Sequence, residues 1–227
     1  KISDTAAEFM SPIDGSRHIL TPEKSIQIQF DLGVDMMVVL DDCPPNDFDK
    51  KQIVNSVERT IGWAKRCRQE FARQIKKRKL QKNKPLLFGV VQGGMNVALR
   101  KKCVAELIKI GFSGLGFGAR HIDSHGNFLA KVLKETAQSI PENYLRFALG
   151  VGKPEDIVKC VRLGWDMFDC VIPTREGRHG RIYKFKTQNA SSAGIPQDAG
   201  WLSKGQPKFK SKAENNFYKV INVNNSE

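Results

Sequence analysis

The chain has 227 residues, of which 40% are hydrophobic and 27% are charged, which is enough for one domain with a substantial core. Its five cysteines lie in separate segments without C-x-x-C spacing, and no apolar run approaches membrane-span length, which argues against a disulfide scaffold and a membrane protein. The net charge of +13 favours a polyanionic partner over a merely soluble basic protein, because neutralised phosphates release condensed counterions. We therefore expect a cytoplasmic protein that binds nucleic acid.

The positive charge is concentrated in two clusters. Residues 76–79 form the first cluster, which would also suit a helix C-terminus, where cations interact favourably with the helix dipole. The second cluster directly follows a predicted strand and consists of Arg175, Arg178, His179, Arg181, Lys184 and Lys186. Because it follows a strand end, we expect this second cluster to border the active face.

The N-terminal part of the chain predicts a hairpin and a well-delimited helix. Residues 12–20 contain an Asp-Gly pair that favours a turn. Thr21 then suits a helix N-cap with Pro22 in the first turn, and Gly33 suits the end of the same helix.

Apolar segments that end on polar or glycine residues alternate with helical patterns along most of the remaining chain. The predicted strands are residues 36–40, 86–91, a short segment ending at 118, 145–149 and 166–170. The predicted helices, in which apolar residues recur every three or four positions, are residues 51–79, 97–110, 128–139 and 154–163. Beyond residue 186 the pattern indicates a loop or insertion, followed by one more strand over 217–223.

This alternation predicts an α/β protein of the TIM (β/α)8 barrel type, whose functional groups lie at the C-terminal ends of the strands. On this interpretation one face of the molecule carries Asp41, Gln92, Gly118, Gly150 and Asp169. A barrel of this type has eight strands and typically about 250 residues, whereas five strands and one further candidate are recognisable here. We therefore expect an incomplete portion of the barrel, a fragment, rather than a complete barrel with two unrecognised strands.

Six motifs identify a family resemblance across residues 12–186. They are DGSRHILTPEKSIQIQ at 14–29, LDDC at 40–43, WAKRCRQEF at 63–71, LFGVVQGG at 87–94, LGVGKPEDIV at 149–158 and DMFDCVIPTREGRHG at 166–180. With these motifs the chain resembles the central part of the tRNA-guanine transglycosylases (queuine tRNA-ribosyltransferases). The resemblance implies that residues 1–186 are central βα repeats of the barrel, and that 187–227 are an insertion or loop plus a final strand.

The resemblance also implies an activity. Members of this family are glycosyltransferases of the queuosine pathway, which exchange guanine at the wobble position of the anticodon for a 7-deazaguanine. The exchange passes through a covalent aspartyl-ribose intermediate, because a carboxylate attacks the anomeric carbon and holds the RNA while the bases exchange.

Individual residues receive roles from the same resemblance. Asp169 corresponds to the nucleophile, and the alternative is an aspartate that only caps the next turn. Asp41 is acceptor-only when ionised and would suit the donors of guanine, whereas Gln92 would suit the carbonyl edge of the purine or only stabilise a turn. The other base-binding positions are Gly118, the Ala119 backbone N–H, Leu149 against the purine face, and Cys43, which favours the aminomethyl-deazaguanine precursor over queuine.

Two segments match the parts of the family that contact tRNA. Their residues are Gly150, Val151, Gly152, Lys153, Pro154, Glu155, Asp156, Thr174, Arg175, Glu176, Gly177 and Arg178. Arg175 and Arg178 would suit phosphates and base edges through their fixed fork of donors. The target base must be splayed out of the anticodon loop to be reached.

The sequence departs from the family pattern in three places. It lacks an upstream T-D-S-G-G-like segment, whose aspartate is the usual proton acceptor. It also lacks the downstream C-x-C-x-x-C…H ligands of the zinc that the family implies, so we expect the chain alone to be inactive. Finally, Arg120 and His121 replace part of a G-G-L-like turn, and either alter the choice of deazaguanine or lie on the surface.

The resemblance implies three partners, which are the tRNA anticodon loop, a 7-deazaguanine base and a second copy of the chain or a related subunit. Two alternatives stay open, namely a non-catalytic RNA-binding subunit of a two-chain transglycosylase and a family member that acts on archaeal tRNA or on DNA. An accessory subunit would have little reason to keep both Asp169 and Asp41, and this favours the enzyme.

Overall fold

The computed structural model describes residues 1–45, 48–185 and 217–223. Its centre is a curled sheet of five parallel strands, which are β3 (Met36–Val38), β4 (Leu86–Val91), β5 (Gly114–Phe117), β6 (Leu145–Ala148) and β7 (Met167–Phe168). The order of the strands in the sheet follows their order in the chain. Since each strand is followed by a helical crossover, all five C-terminal ends meet at one rim of the sheet.

Six helices accompany this sheet among the described residues. They are α1 (Pro22–Leu32), α2 (Lys50–Lys77), α3 (Val97–Ile110), α4 (Ala130–Ser139), α5 (Pro154–Arg162) and α6 (Ile172–Arg178). Helices α1 to α4 contact one another in sequence, and apolar side chains such as Val57, Leu107, Val90 and Leu115 fill the core beneath them. The α/β prediction is confirmed, and the curled parallel sheet is consistent with part of a TIM-like barrel.

Helix α1 begins and ends at the residues that its sequence predicts. Thr21 is the N-cap, and its side chain accepts a hydrogen bond from the Lys24 N–H at 3.1 Å. Pro22 occupies the first turn, and Gly33 ends the helix in the left-handed conformation, with φ of 68°. Both ends therefore satisfy backbone groups that would otherwise lack partners.

Several short elements differ from the prediction. The predicted hairpin is confirmed, but it includes an unpredicted strand β1 (Ala7–Met10), which pairs with β2 (Arg17–Leu20). Strands β3 and β7 are shorter than predicted, because the chain leaves the ladder before the residues that form the rim. Helix α6 was not predicted either, because its seven residues are too few to show a period.

The predicted final strand is confirmed as β9 (Tyr218–Asn222). It pairs antiparallel with the unpredicted β8 (Arg181–Phe185), and this two-stranded sheet is separate from the parallel one. The predicted insertion over residues 187–216 lies outside the described residues. Among the helices that are described, none is long and apolar enough to cross a membrane.

Candidate active site

A hydrogen-bonded pair of polar side chains joins the C-terminal ends of β3 and β4. The Gln92 Nε2 donates to Asp41 Oδ2 at 2.6 Å, and Gln92 is fully buried. The second amide atom, Gln92 Oε1, is buried without a hydrogen-bond partner among the described residues. Because buried acceptors are rarely left without a donor, this orphaned oxygen indicates a site where a ligand or water supplies an N–H or O–H.

Gly118 holds the amide of Gln92 in place from the neighbouring strand. A Cβ at this position would lie 2.3 Å from Gln92 Nε2 and 2.8 Å from Val90 Cγ1, so only glycine leaves room for the amide. Its own backbone is occupied, because its N–H donates to the Val91 carbonyl at 3.0 Å. In the structure Gly118 therefore contacts Gln92.

The environment of Asp41 favours its neutral form. Burial raises the pKa of the Asp41 carboxyl above its ordinary value. The hydrogen bond from Gln92 partly offsets this shift, and the charge of Asp42 raises the pKa further. A strongly perturbed carboxyl beside an orphaned acceptor is typical of a functional site.

Asp42 itself serves to attach the end of β3 to helix α2. Its carboxylate accepts from Arg59 Nη1 at 2.5 Å, and its N–H donates to Thr60 Oγ1 at 3.0 Å. The Asp42 carbonyl accepts from Ser56 Oγ at 3.0 Å. Of the two adjacent carboxylates, only Asp41 faces Gln92.

Cys43 and Ala119 complete this cluster at the rim. Cys43 is exposed as a residue, but the surrounding chain partly desolvates its thiol, which raises the pKa of Cys43. The Asp41 charge raises it further, while the Gln92 side chain and the Ala119 backbone oppose the shift. Ala119 has φ of 77°, in the left-handed region that L residues rarely adopt. The Ala119 N–H, predicted to bind the base, therefore lies on a strained turn directly after Gly118.

The carboxylate of Asp169 lies at the same rim, at the other side of the sheet. Asp169 follows β7, is exposed, and its Oδ1 accepts from the Gly150 N–H at 2.9 Å. Gly150 follows β6, so a backbone donor from the neighbouring strand fixes the orientation of this carboxylate. Leu149, directly before Gly150, is partly buried and lies over Gly116 in the middle of β5.

The first predicted RNA-binding segment, residues 150–156, has buried and exposed members. Val151 is fully buried, and Asp156 is buried and paired with Lys159 at 3.1 Å. Glu155 accepts from the Tyr218 hydroxyl at 2.5 Å, so it attaches β9 to the start of α5. Pro154 begins α5, and Gly150 and Lys153 are exposed.

Gly152, in the first predicted RNA-binding segment, makes a close contact with Cys170, which precedes the second segment. A Cβ on Gly152 would lie 1.8 Å from Cys170 Sγ, which is closer than any non-bonded contact. In the second segment Thr174, Gly177 and the two arginines are exposed on α6 or at its end, whereas Glu176 pairs with Arg181 at 2.7 Å. This second segment therefore presents cations beside Asp169.

His121, one of the two departures from the family pattern, has a tertiary contact. Its Nε2 lies 3.3 Å from Asp156 Oδ2, and its ring meets the edge of Phe128 at 6.3 Å between centroids. His121 therefore connects the chain after β5 to helix α5. Arg120 is exposed at the same turn and lines a shallow pocket with Met95.

The described residues do not fit a zinc ion. No group of three or more His, Cys, Asp or Glu side chains among them is arranged to hold a metal. Cys67, Cys103 and Cys160 are buried, and burial raises the pKa of each thiol, to about 12, 11 and 12. We derive no chemical step through zinc, and the zinc site implied by the resemblance stays a prediction.

One residue of the site was not predicted from the sequence. Arg100 on α3 is fully buried, and its guanidinium donates to carbonyls at the ends of both β4 and β5. Arginine is mostly exposed in proteins. In the sequence Arg100 is followed by two lysines, so the pattern gives no sign that it points inwards.

Known proteins resemble this chain over most of its length. A family profile described as queuine tRNA-ribosyltransferase matches residues 1–219. Proteins named queuine tRNA-ribosyltransferase from Halothermothrix orenii and Aliivibrio fischeri are each 42% identical to it over 183 residues, or 81% of the chain. One from Thermoanaerobacter is 40% identical over 186 residues. The chain spans about half the length of these relatives (47% to 48%), and it belongs to the queuine tRNA-ribosyltransferase family.

Proposed function

We propose that this protein is a tRNA-guanine transglycosylase, which exchanges guanine at the wobble position of tRNA for a 7-deazaguanine. Family membership supports the reaction class. The observation that carries the proposal is the rim of the sheet, which has a hydrogen-bonded polar pair, Asp41 and the buried Gln92, and an exposed, oriented carboxylate at Asp169. Base exchange requires groups that recognise the base and a nucleophile that attacks the ribose.

The Asp41–Gln92 pair is suited to the edge of guanine. Guanine carries N–H donors beside a carbonyl acceptor, and an ionised Asp41 would accept from the donors. The unpartnered Oε1 of Gln92 offers another acceptor, and a turn of the amide would present its NH2 to the carbonyl. Desolvation disfavours the ionised form of Asp41, whereas N–H donors of a bound base would stabilise that form. Binding of the base should therefore lower the pKa of Asp41.

Asp169 is suited to attack the ribose. The attack forms a bond between a carboxylate oxygen and the anomeric carbon, and the guanine leaves with the electrons of the glycosidic bond. The departing guanine gains one proton, and the incoming deazaguanine loses one as it displaces Asp169. The exchange is therefore balanced in protons and needs no oxidant or reductant.

The Gly150 N–H supports this step because it orients the carboxylate of Asp169. It donates to Asp169 Oδ1 at 2.9 Å, so it holds one oxygen and leaves the other available to attack.

The positive surface beside Asp169 supports RNA as the partner. Arg175 and Arg178 are exposed on α6, directly after the nucleophile, and Lys153 is exposed at the start of α5. Cations at this position would hold phosphates on either side of the target nucleotide. We further propose that the five strands form part of an eight-stranded barrel, since β3 and β7 are edge strands of the described sheet.

The test uses the complete protein, because we expect residues 1–227 alone to be inactive, and it compares two aspartates at opposite ends of β7. Asp169→Asn should abolish incorporation of labelled guanine into tRNA and prevent a covalent protein–RNA adduct, because an amide cannot form the glycosyl ester. Asp166→Asn is the matched control, since Asp166 also accepts a backbone N–H at 2.9 Å, from Arg146, but lies at the opposite rim. Exchange by the Asp169→Asn variant would refute the mechanism, and RNA binding without exchange by the wild type would favour the non-catalytic subunit.

A further inference from the structure

Arg100 is the most deeply buried cation among the described residues, and its three hydrogen bonds converge on the rim. Its Nε donates to the Gly94 carbonyl at 2.7 Å, and its two terminal nitrogens donate to the Val91 and Gly118 carbonyls, each at 3.1 Å. Its guanidinium carbon lies 3.9 Å from the centre of the Phe117 ring. The side chain is therefore fixed on every side.

The burial of this arginine is costly. Burial lowers the pKa of Arg100 to about 10, so the side chain stays charged at neutral pH. Among the described residues no carboxylate pairs with it, and all of its hydrogen-bond acceptors are neutral carbonyls. A buried charge without a counter-ion destabilises a fold relative to an apolar residue of similar volume, so a purely space-filling role would be served better by methionine.

The three carbonyls belong to the backbone that carries the base-binding groups. Val91 immediately precedes Gln92, Gly94 closes the turn after it, and Gly118 immediately precedes Ala119. Because one rigid, planar guanidinium contacts all three, the ends of β4 and β5 cannot move independently.

Gly93, in the turn after β4, leaves space for the Arg100 side chain. A Cβ on Gly93 would lie 2.7 Å from Arg100 Cγ, so the turn leaves a channel for the arginine stem. On the other side, Gly118 leaves room for the Gln92 amide. The absence of side chains at Gly93 and Gly118 therefore lets Arg100 and Gln92 pack at the ends of β4 and β5.

We propose that Arg100 is a positioning residue for base recognition, which fixes the Gln92 amide and the Ala119 backbone at the distances that a purine edge requires. This inference deepens the proposed function and depends on it. Arg100 does not touch the base. Replacing Arg100 should change the affinity for the base and not the affinity for the RNA, because its hydrogen bonds go to the ends of β4 and β5, which carry the base-binding groups.

The test is the kinetics of guanine exchange by Arg100→Met and Arg100→Lys in the complete protein. Loss of one well-placed hydrogen bond to the base corresponds to about tenfold in affinity, so we expect the KM for guanine to rise at least about tenfold in both variants. The KM for tRNA should stay within about twofold of the wild type. Arg100→Lys keeps the charge and one donor, and it provides the measurement if Arg100→Met does not fold.

Arg146 provides a matched control. It also donates to two backbone carbonyls, those of Ile140 at 2.7 Å and Gly164 at 3.4 Å, but at the opposite rim of the sheet. Arg146→Met should leave the KM for guanine unchanged. A merely structural Arg100 would lower the amount of active enzyme, and so the apparent kcat, without a selective change in the KM for guanine.

The outcomes separate this inference from the proposed function. If the wild type neither binds nor exchanges guanine, the proposed function fails and the inference fails with it. If the wild type exchanges guanine and both Arg100 variants keep its KM for guanine, the inference alone is wrong. An equal rise of that KM in Arg146→Met would also overturn it, because any carbonyl-binding arginine would then have the same effect.

Discussion

The replacement Asp41→Asn should make the protein more stable and impair its binding of the base at the same time. Asp41 is a carboxyl whose pKa is raised by burial. The folded state therefore binds more protons than the unfolded state between the ordinary pKa of aspartate, about 3.9, and the raised value. Within that window the free energy of unfolding of the wild type falls as pH rises, and the uncharged Asp41→Asn variant lacks this loss.

The size of the effect on stability follows from the binding of one proton to Asp41. The difference in stability between Asp41→Asn and the wild type should be small below pH ~4 and should widen by up to ~1.4 kcal/mol per pH unit above it. For a chain of this size that slope corresponds to about 3–6 °C in Tm per pH unit. The difference should become constant once the pH exceeds the raised pKa of Asp41.

Base binding should change in the opposite direction. Replacing a charged acceptor by an amide removes hydrogen bonds to a charged group, each of which contributes about 1.5–3 kcal/mol, or roughly 10- to 150-fold in the affinity for guanine. Differential scanning fluorimetry from pH 4 to pH 8 and calorimetric titration with guanine measure the two effects. A lower Tm at pH 8 together with unchanged guanine affinity would refute the reasoning, because Asp41 would then be a structural residue.

Asp42→Asn is the matched control for this experiment. Asp42 is the adjacent carboxylate, but its partner is Arg59 at 2.5 Å. Removing its charge leaves the guanidinium with only the exposed carboxylate of Asp4, at 3.1 Å from Arg59 Nε, so we expect a loss of about 1–3 kcal/mol at neutral pH. The two adjacent replacements should therefore change Tm with opposite signs.

Two further predictions concern the RNA-binding segments. Gly152→Ala should destabilise the protein by about 1–3 kcal/mol, because its new Cβ overlaps Cys170 Sγ, and Cys170→Gly in the same chain should recover most of the loss in a thermal melt. Arg175→Ala and Arg178→Ala should each lower the slope of log affinity against log salt for anticodon-loop RNA by about 0.7. Arg66→Ala should leave that slope unchanged, because Arg66 donates to both oxygens of Glu23 at 2.7 Å, whereas Arg175 approaches Glu176 only to 3.7 Å. Equal slopes for all three variants would place the RNA elsewhere.

Much of the architecture could be predicted because local signals agree with the tertiary fold. The strand over 86–91 and the helix over 97–110 have the predicted bounds, since a continuous apolar run and a 3.6-residue period are strong patterns. The N-cap at Thr21 is equally local. By contrast, β7 has only two residues in the ladder, and no sequence pattern determines where so short a strand ends.

The parts of the site that depend on distant contacts could not be predicted. The proposed roles of Asp41 and Asp169 came from motifs, but the function of Asp42 depends on Arg59, which is far away in the chain. Burial of Val151 within a polar glycine-rich segment is likewise a tertiary effect. The burial of Arg100 could not be predicted either, because its acceptors are main-chain carbonyls, which every residue has.

The pairing of β8 with β9 has a practical consequence for labelling the protein. Phe185 and Tyr218 are cross-strand partners, so these two positions lie about 5 Å apart. Lengthening a connection whose ends are already held together costs only about 0.6 kcal/mol for each doubling of its length. A fluorescent or affinity module inserted between these two positions should therefore leave the stability of the five-stranded parallel sheet almost unchanged, and would report on RNA binding from beside α5.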